Sequence, residues 1–192
     1  LRRAPQILRG EVEGVIVVHV PQIIAGFPSH LMSTPMRRTA LEDYLGRRLS
    51  DAVARRRFTS SGASAPAILL PPMGCQVLPR SLIVAAPDYV EARMTVRLPL
   101  RDGMVDSDVA EHAFFHELPV LVNDALIHCY LDGEDLEAFV NLMEDTDHAR
   151  RQLSRRGLVA LIGEGSRPDP TAPPLALPTT GLTELDVPNA GT

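Results

Sequence analysis

Arginine is the residue type in this sequence with the most chemistry to offer. All 19 basic side chains are Arg, and Lys is absent from the chain. A guanidinium presents its donors in a planar fork that matches phosphate and carboxylate, which a lysine ammonium does not. Between Ala25 and Arg57 the residues Arg37, Arg38, Arg47, Arg48, Arg55, Arg56 and Arg57 flank an apolar stripe. Arg80 follows downstream, and Arg93 and Arg97 lie on one face of a strand, about 13 Å apart by strand rise. Arg37, Arg47 and Arg55 are expected to stay free. Arg38 and Arg48 are expected near the buried border of the helix, held by Asp43 or Glu42. With Arg80, Arg93 and Arg97, the free set forms one basic face if the helix and that sheet face share an edge. Such a face is suited to a nucleic-acid backbone. A bland account competes with it. Asp43 with Arg47 and Asp51 with Arg55 are i, i+4 pairs that simply support a solvated helix, and codon bias alone leaves an all-arginine set. Arg150, Arg151, Arg155 and Arg156 form a second cluster, whose charge complements a helix C-terminus.

Other constellations exclude more than they offer. Without Lys there is no G-x-x-x-x-G-K-[ST] phosphate loop, because its Lys reaches the terminal phosphates. No G-x-S-x-G, G-x-G-x-x-G or C-x-x-C occurs. His112 and His116 are four apart with Glu117 adjacent, a spacing able to hold a metal on one helix face. The zincin order needs Glu directly after the first His, where this chain has Ala113, and no third ligand follows at a telling spacing. No metal or catalytic set is therefore expected. Asp132 to Asp135 (DGED) is too short for a calcium loop and reads as an acidic helix start. Cys75 and Cys129 have no partners at ligand spacing and are expected as buried thiols.

These residues need elements to hold them. Thr34 as N-cap and Pro35 at the first helical position start a helix to about residue 57. Its buried stripe is Ala40, Leu41, Tyr44, Leu45, Leu49, Ala52 and Val53. Val12 to Val20 reads as a strand buried on both faces, and Ala67 to Leu70, Gln76 to Leu78 and Ser81 to Ala85 as short strands. Tyr89 to Leu98 alternates strictly. Val90, Ala92, Met94, Val96 and Leu98 face the core, and Tyr89, Glu91, Arg93, Thr95 and Arg97 face outward. A capping box of Asp108 with Glu111 opens a helix to about residue 130, kinked by Pro119. Further helices are expected over 134–143 and, capped by Thr146 and closed by Gly157, over 147–156. Leu158 to Ile162 reads as a last core strand.

Length, composition and a net charge of −5 fit a globular domain without whole-molecule attraction to nucleic acid. No stretch has the length of a membrane span. The fold class is α/β or α+β: a mixed, mainly antiparallel sheet packed against helices, over residues 10–163. TSSGASAP (59–66) is a small-residue loop. An extended Pro-rich linker follows over 164–181, and alternation resumes over 182–192, as if another domain began there.

VPQIIAGFPSHLMSTPMRRTALEDYLGRRL (20–49) resembles a segment typical of the predicted ATPases of the ABC class. QVLPR, DYVEARMTVRLP, AFFHELPVLVNDAL, LSRRGLVALI and LDVPNAGT follow in the order that family shows. The resemblance implies an N-terminal domain ahead of an ATPase core, with ATP and Mg²⁺ in that core and none here. It implies a soluble intracellular protein. The family's relatives include a kinetoplastid mitochondrial RNA-processing factor, which implies RNA as partner and the mitochondrion as compartment. The implied function is to bind or position RNA through Arg37, Arg47, Arg55, Arg80, Arg93 and Arg97. The alternative is a structural module for docking on its own core or for homodimerisation, without nucleic-acid contact.

Overall fold

Alternation dictates the central element. A strand with every second residue apolar must bury one face, and Tyr89–Arg101 (β5) does so: Val90, Ala92, Met94, Val96 and Leu98 are buried. In the computed structural model, residues 6–8, 10–59, 68–163, 167, 171, 173–176 and 185–189 are described. They fall into two units, Leu1–Val140 and Asn141–Thr192.

In the first unit Glu11–Pro21 (β2) pairs antiparallel with β5 along its whole length, Glu11 opposite Pro99 and Pro21 opposite Tyr89. Gln6–Leu8 (β1) pairs with the start of β2. The other edge of β5 takes Ile68–Leu69 (β3) and Ile83–Ala85 (β4), and Met104–Val105 (β6) folds back on its end. Asp102 and Gly103, both at positive φ (54° and 79°), make that two-residue turn. The sheet is antiparallel throughout the described residues, as the mainly antiparallel expectation had it. β2 corrects the two-faced burial. Val15, Val17 and His19 are exposed while Val12, Ile16 and Val18 turn inward, because helices cover one face only.

Pro35–Thr59 (α2) forms as expected, with the Arg37 amide donating to the Thr34 hydroxyl at 3.2 Å. Every residue of its anticipated stripe is buried. α2 packs on β4 and on Leu118–Leu126 (α4). Gly46 sits where Met73 crosses the helix; a Cβ there would lie 3.0 Å from the Met73 methyl. A four-residue helix, Gln22–Ala25 (α1), follows β2 and ends at Gly26, φ 72°.

The single kinked helix over 108–130 is corrected. Ser107–Glu111 (α3) leads into a π-helical turn, His112–Glu117, and then α4. Pro119 lacks a donor and its ring crowds the carbonyl of Phe115, and the wider turn accommodates both. The cap is Asp106, whose carboxylate accepts from the amides of Asp108 and Val109, rather than Asp108. Ala113, Val109, Ala110 and Phe114 close over Val96, Leu98, Val12 and Ile16. Gln76 to Leu78 is a loop, not a strand.

The two expected helices over 134–156 are one, Gly133–Leu153 (α5), with a 3₁₀ turn Ser154–Arg156. No Gly or Pro interrupts it, and Asp145, beside the expected break, instead accepts from Asn189. Asp132 caps its start, accepting from Glu134 and Asp135. Gly157 closes it at φ 68°, as expected. The core strand over 158–162 is absent: the segment has no ladder partner among the described residues, and Val159 is 98% exposed. The loop over 60–66 and most of 164–184 lie outside the described residues.

Candidate functional site

The arginines divide into three settings, and most have an acid or carbonyl partner inside the fold. Arg37 is buried, against the expectation that it is free. Its Nε donates to the His30 carbonyl at 2.8 Å and its Nη2 to Glu137 at 3.3 Å, with the His30 ring 2.9 Å from the same carboxylate. Arg47 is likewise not free. Its Nε meets Asp43 at 2.6 Å and its Nη2 donates to the Gly74 carbonyl at 3.0 Å. Arg80 reaches the other oxygen of Asp43 at 3.4 Å and donates to the Gln76 carbonyl at 2.9 Å. The Asp43 side chain is fully buried, so the two guanidiniums neutralise a charge that water cannot reach. Together the three side chains strap the 71–80 loop onto α2.

Arg93 and Arg97 stand on the open face of the sheet. Arg93 pairs with Glu91 at 2.7 Å, and Arg97 with Glu13 at 3.0 Å and Glu11 at 3.5 Å. Cross-strand register sets the Arg97 pair, since Glu13 lies directly opposite. Arg55 is exposed and has no ion-pair partner among the described residues. The helices cover the other side of the sheet, so Arg93 and Arg97 lie across it from α2. One continuous basic face does not form. Arg38, expected at the buried border, is exposed, its charge acting on Glu42, and Arg48 is half-buried.

Sequence reasoning found the Asp43–Arg47 pair from its spacing and missed the long-range partners. The Tyr44 hydroxyl donates to Asp135 at 2.7 Å, and burial with that carboxylate pushes it up to about 12, so it stays a donor. Glu42 accepts from the Ala85 amide at 2.9 Å, satisfying an outer edge donor of β4, and burial raises its carboxyl above the ordinary range. The residue types were visible, but nothing local marked 42 with 85 or 44 with 135. Cys75 and Cys129 are exposed free thiols, which corrects the buried reading; both sit in loop or 3₁₀ segments outside the core. His112 and His116 stack at 5.5 Å with Glu117 3.7 Å from His112. Among the described residues no group of three or more His, Cys, Asp or Glu could hold a metal. No described helix is long and apolar enough to cross a membrane.

The family model described as "ATPase of the ABC class N-terminal" matches residues 14–129. The chain belongs to this family. The match takes in most of β2, the Asp43 strap, β3 to β6 and α4, so the RRTALEDYL block that carried the resemblance lies inside it. The ABC-class N-terminal domain implies a partner in its own ATPase core. LSRRGLVALI and LDVPNAGT lie beyond the matched residues. No curated protein matches the chain.

Proposed function

We propose that this ABC-class N-terminal domain is an accessory module that docks on the ATPase core of its own protein through the open face of the sheet. One observation carries the reading. On that face Val15 and Val17 stand 54% and 55% exposed beside Arg93, whose charge is already matched by Glu91. A face whose arginines have acid partners suits a protein surface better than a phosphate backbone. ATP and Mg²⁺ belong, in this proposal, to the core. The residues of this chain do not fit them, having no lysine for a phosphate loop and no described metal set.

The test is Val15→Glu with Val17→Glu in the full-length ATPase. Loss of protection of the face in hydrogen exchange, with an altered ATPase rate and an unchanged far-ultraviolet spectrum of the domain, is the expected result. Unchanged exchange and rate reject docking, and a concentration-dependent mass by light scattering, abolished by the variant, assigns the face to a homodimer. The competing proposal is RNA binding through the arginines. Arg47 now serves the fold, so its test uses Arg55, Arg93 and Arg97 changed to Gln. If RNA binds, the slope of log K against log salt should flatten by roughly two units, at about 0.7 per phosphate contact.

A further inference from the structure

The second unit holds a recess of a different character, and it goes beyond the docking reading. His148, Arg151, Gln152 and Arg155 are spaced i, i+3, i+4 and i+7, so the last turns of α5 and the 3₁₀ turn after it bring four donor side chains to one side. They line a recess of about 470 Å³ with Arg156 and Asp186. The wall opposite α5 is the 185–189 segment, and it is clasped in place. Gln152 Nε2 donates to the Asp186 carbonyl at 2.7 Å. Asn189 donates its backbone amide to Asp145 at 3.0 Å and its side-chain amide to the same carboxylate at 2.9 Å.

We propose that this recess is an anion site that takes a phosphate group. The charge balance supports an anion. Arg151 is paired with Asp147 at 2.6 Å, yet its side chain is 76% exposed and a guanidinium carries more donors than one carboxylate fills. Asp186 lies 3.9 Å from Arg156, and its carboxylate is fully exposed. Arg155 has no ion-pair partner among the described residues. The helix C-terminus contributes about half a negative charge, which opposes an anion, so the guanidiniums and not the dipole must hold it. A carboxylate has only two oxygens to share among these donors, whereas a phosphate has oxygens for two forks and for the Gln and His donors as well. The volume admits a diphosphate or a stretch of nucleic-acid backbone.

The test uses the full chain with two probes, inorganic pyrophosphate by calorimetry and a single-stranded decauridylate by fluorescence anisotropy. Arg151→Gln with Arg155→Gln should weaken binding at least tenfold, while Arg38→Gln, at an exposed arginine of the other unit, should not. Both arginines of the pair are solvent-facing, so the variant is expected to fold, and far-ultraviolet circular dichroism checks it. Binding of pyrophosphate without RNA identifies a small phosphate ligand. Binding of both, with the RNA salt slope lowered by about 1.4 in the variant, identifies a nucleic-acid backbone. If neither probe binds the wild type, or the variant binds as tightly, the site does not exist.

Discussion

Two sets of arginine–carboxylate contacts, at Asp43 and on the open face of the sheet, use the same groups to different ends. At Asp43 the acid is fully buried and two guanidiniums converge on its two oxygens, at 2.6 and 3.4 Å. On the sheet, Glu91, Glu13 and Glu11 all keep contact with water, and so do Arg93 and Arg97. Coulomb attraction rises as solvent is excluded, but so does the cost of leaving either charge alone. The buried pair is therefore an obligation of the fold, and the exposed pairs are adjustable features of a surface. Separation along the chain differs as well. Asp43 and Arg80 are 37 residues apart, so their contact fixes a loop to a helix, whereas Arg93 and Glu91 are neighbours on one strand.

The largest effect should come from breaking the buried set. Changing both Arg47 and Arg80 to Gln leaves the Asp43 carboxylate buried without a cation, at a cost of about 3–5 kcal/mol. The unfolding free energy from urea denaturation should fall by that amount, and the 71–80 loop should lose protection in hydrogen exchange. Adding Asp43→Asn to the double variant should recover much of the loss, because the charge is gone. If the double variant is as stable as wild type, Asp43 is not the anchor described here.

The contrast also explains what could be read from sequence. β5 and α2 were legible because each states its burial through its own period, two residues in Val90 to Leu98 and the helical spacing in Ala40 to Val53. Asp43 with Arg47 was legible as an i, i+4 pair. The second half of the same site was not, because Arg80 arrives through a loop with no period. Arg37 was read as free since its acid partner, Glu137, is 100 residues away. Local rules also misplaced boundaries. Asp108 and Thr146 are plausible caps by type, yet Asp106 holds the first cap, and Thr146 lies inside a helix that no breaker interrupts. Leu158 to Ile162 is β-prone, but a strand also needs a partner edge, which composition does not reveal.

On the open face the prediction is a small effect. Arg93→Gln with Arg97→Gln should cost less than about 1 kcal/mol, and that cost should shrink in 1 M salt. Thermal melts of the pair of proteins at low and high salt check it. A loss comparable to that of the Arg47 and Arg80 double variant would erase the distinction between the two regions.

Glu42 gives the smallest and sharpest test, because it stands between the two regimes. It is half-buried, its carboxylate accepts the Ala85 amide, and burial raises its carboxyl from 4.5, while that hydrogen bond and Arg38 act to lower it. A carboxyl raised in the folded state binds its proton more tightly there than in the unfolded chain. Its ionised form therefore weakens the fold above the folded value, and the penalty disappears as pH falls below 4.5. Glu42→Gln keeps an acceptor for Ala85 and carries no charge, so it is never subject to that penalty. At pH 7 the variant should match or exceed wild type, within about 0.5 kcal/mol. Between pH 7 and pH 4 wild type should gain on it, the other carboxylates being common to both proteins and cancelling in the difference. Chemical denaturation at the two pH values measures this directly. If the difference is constant, or if wild type loses ground as pH falls, burial does not govern Glu42 and its place is with the solvent-exposed acids of the sheet.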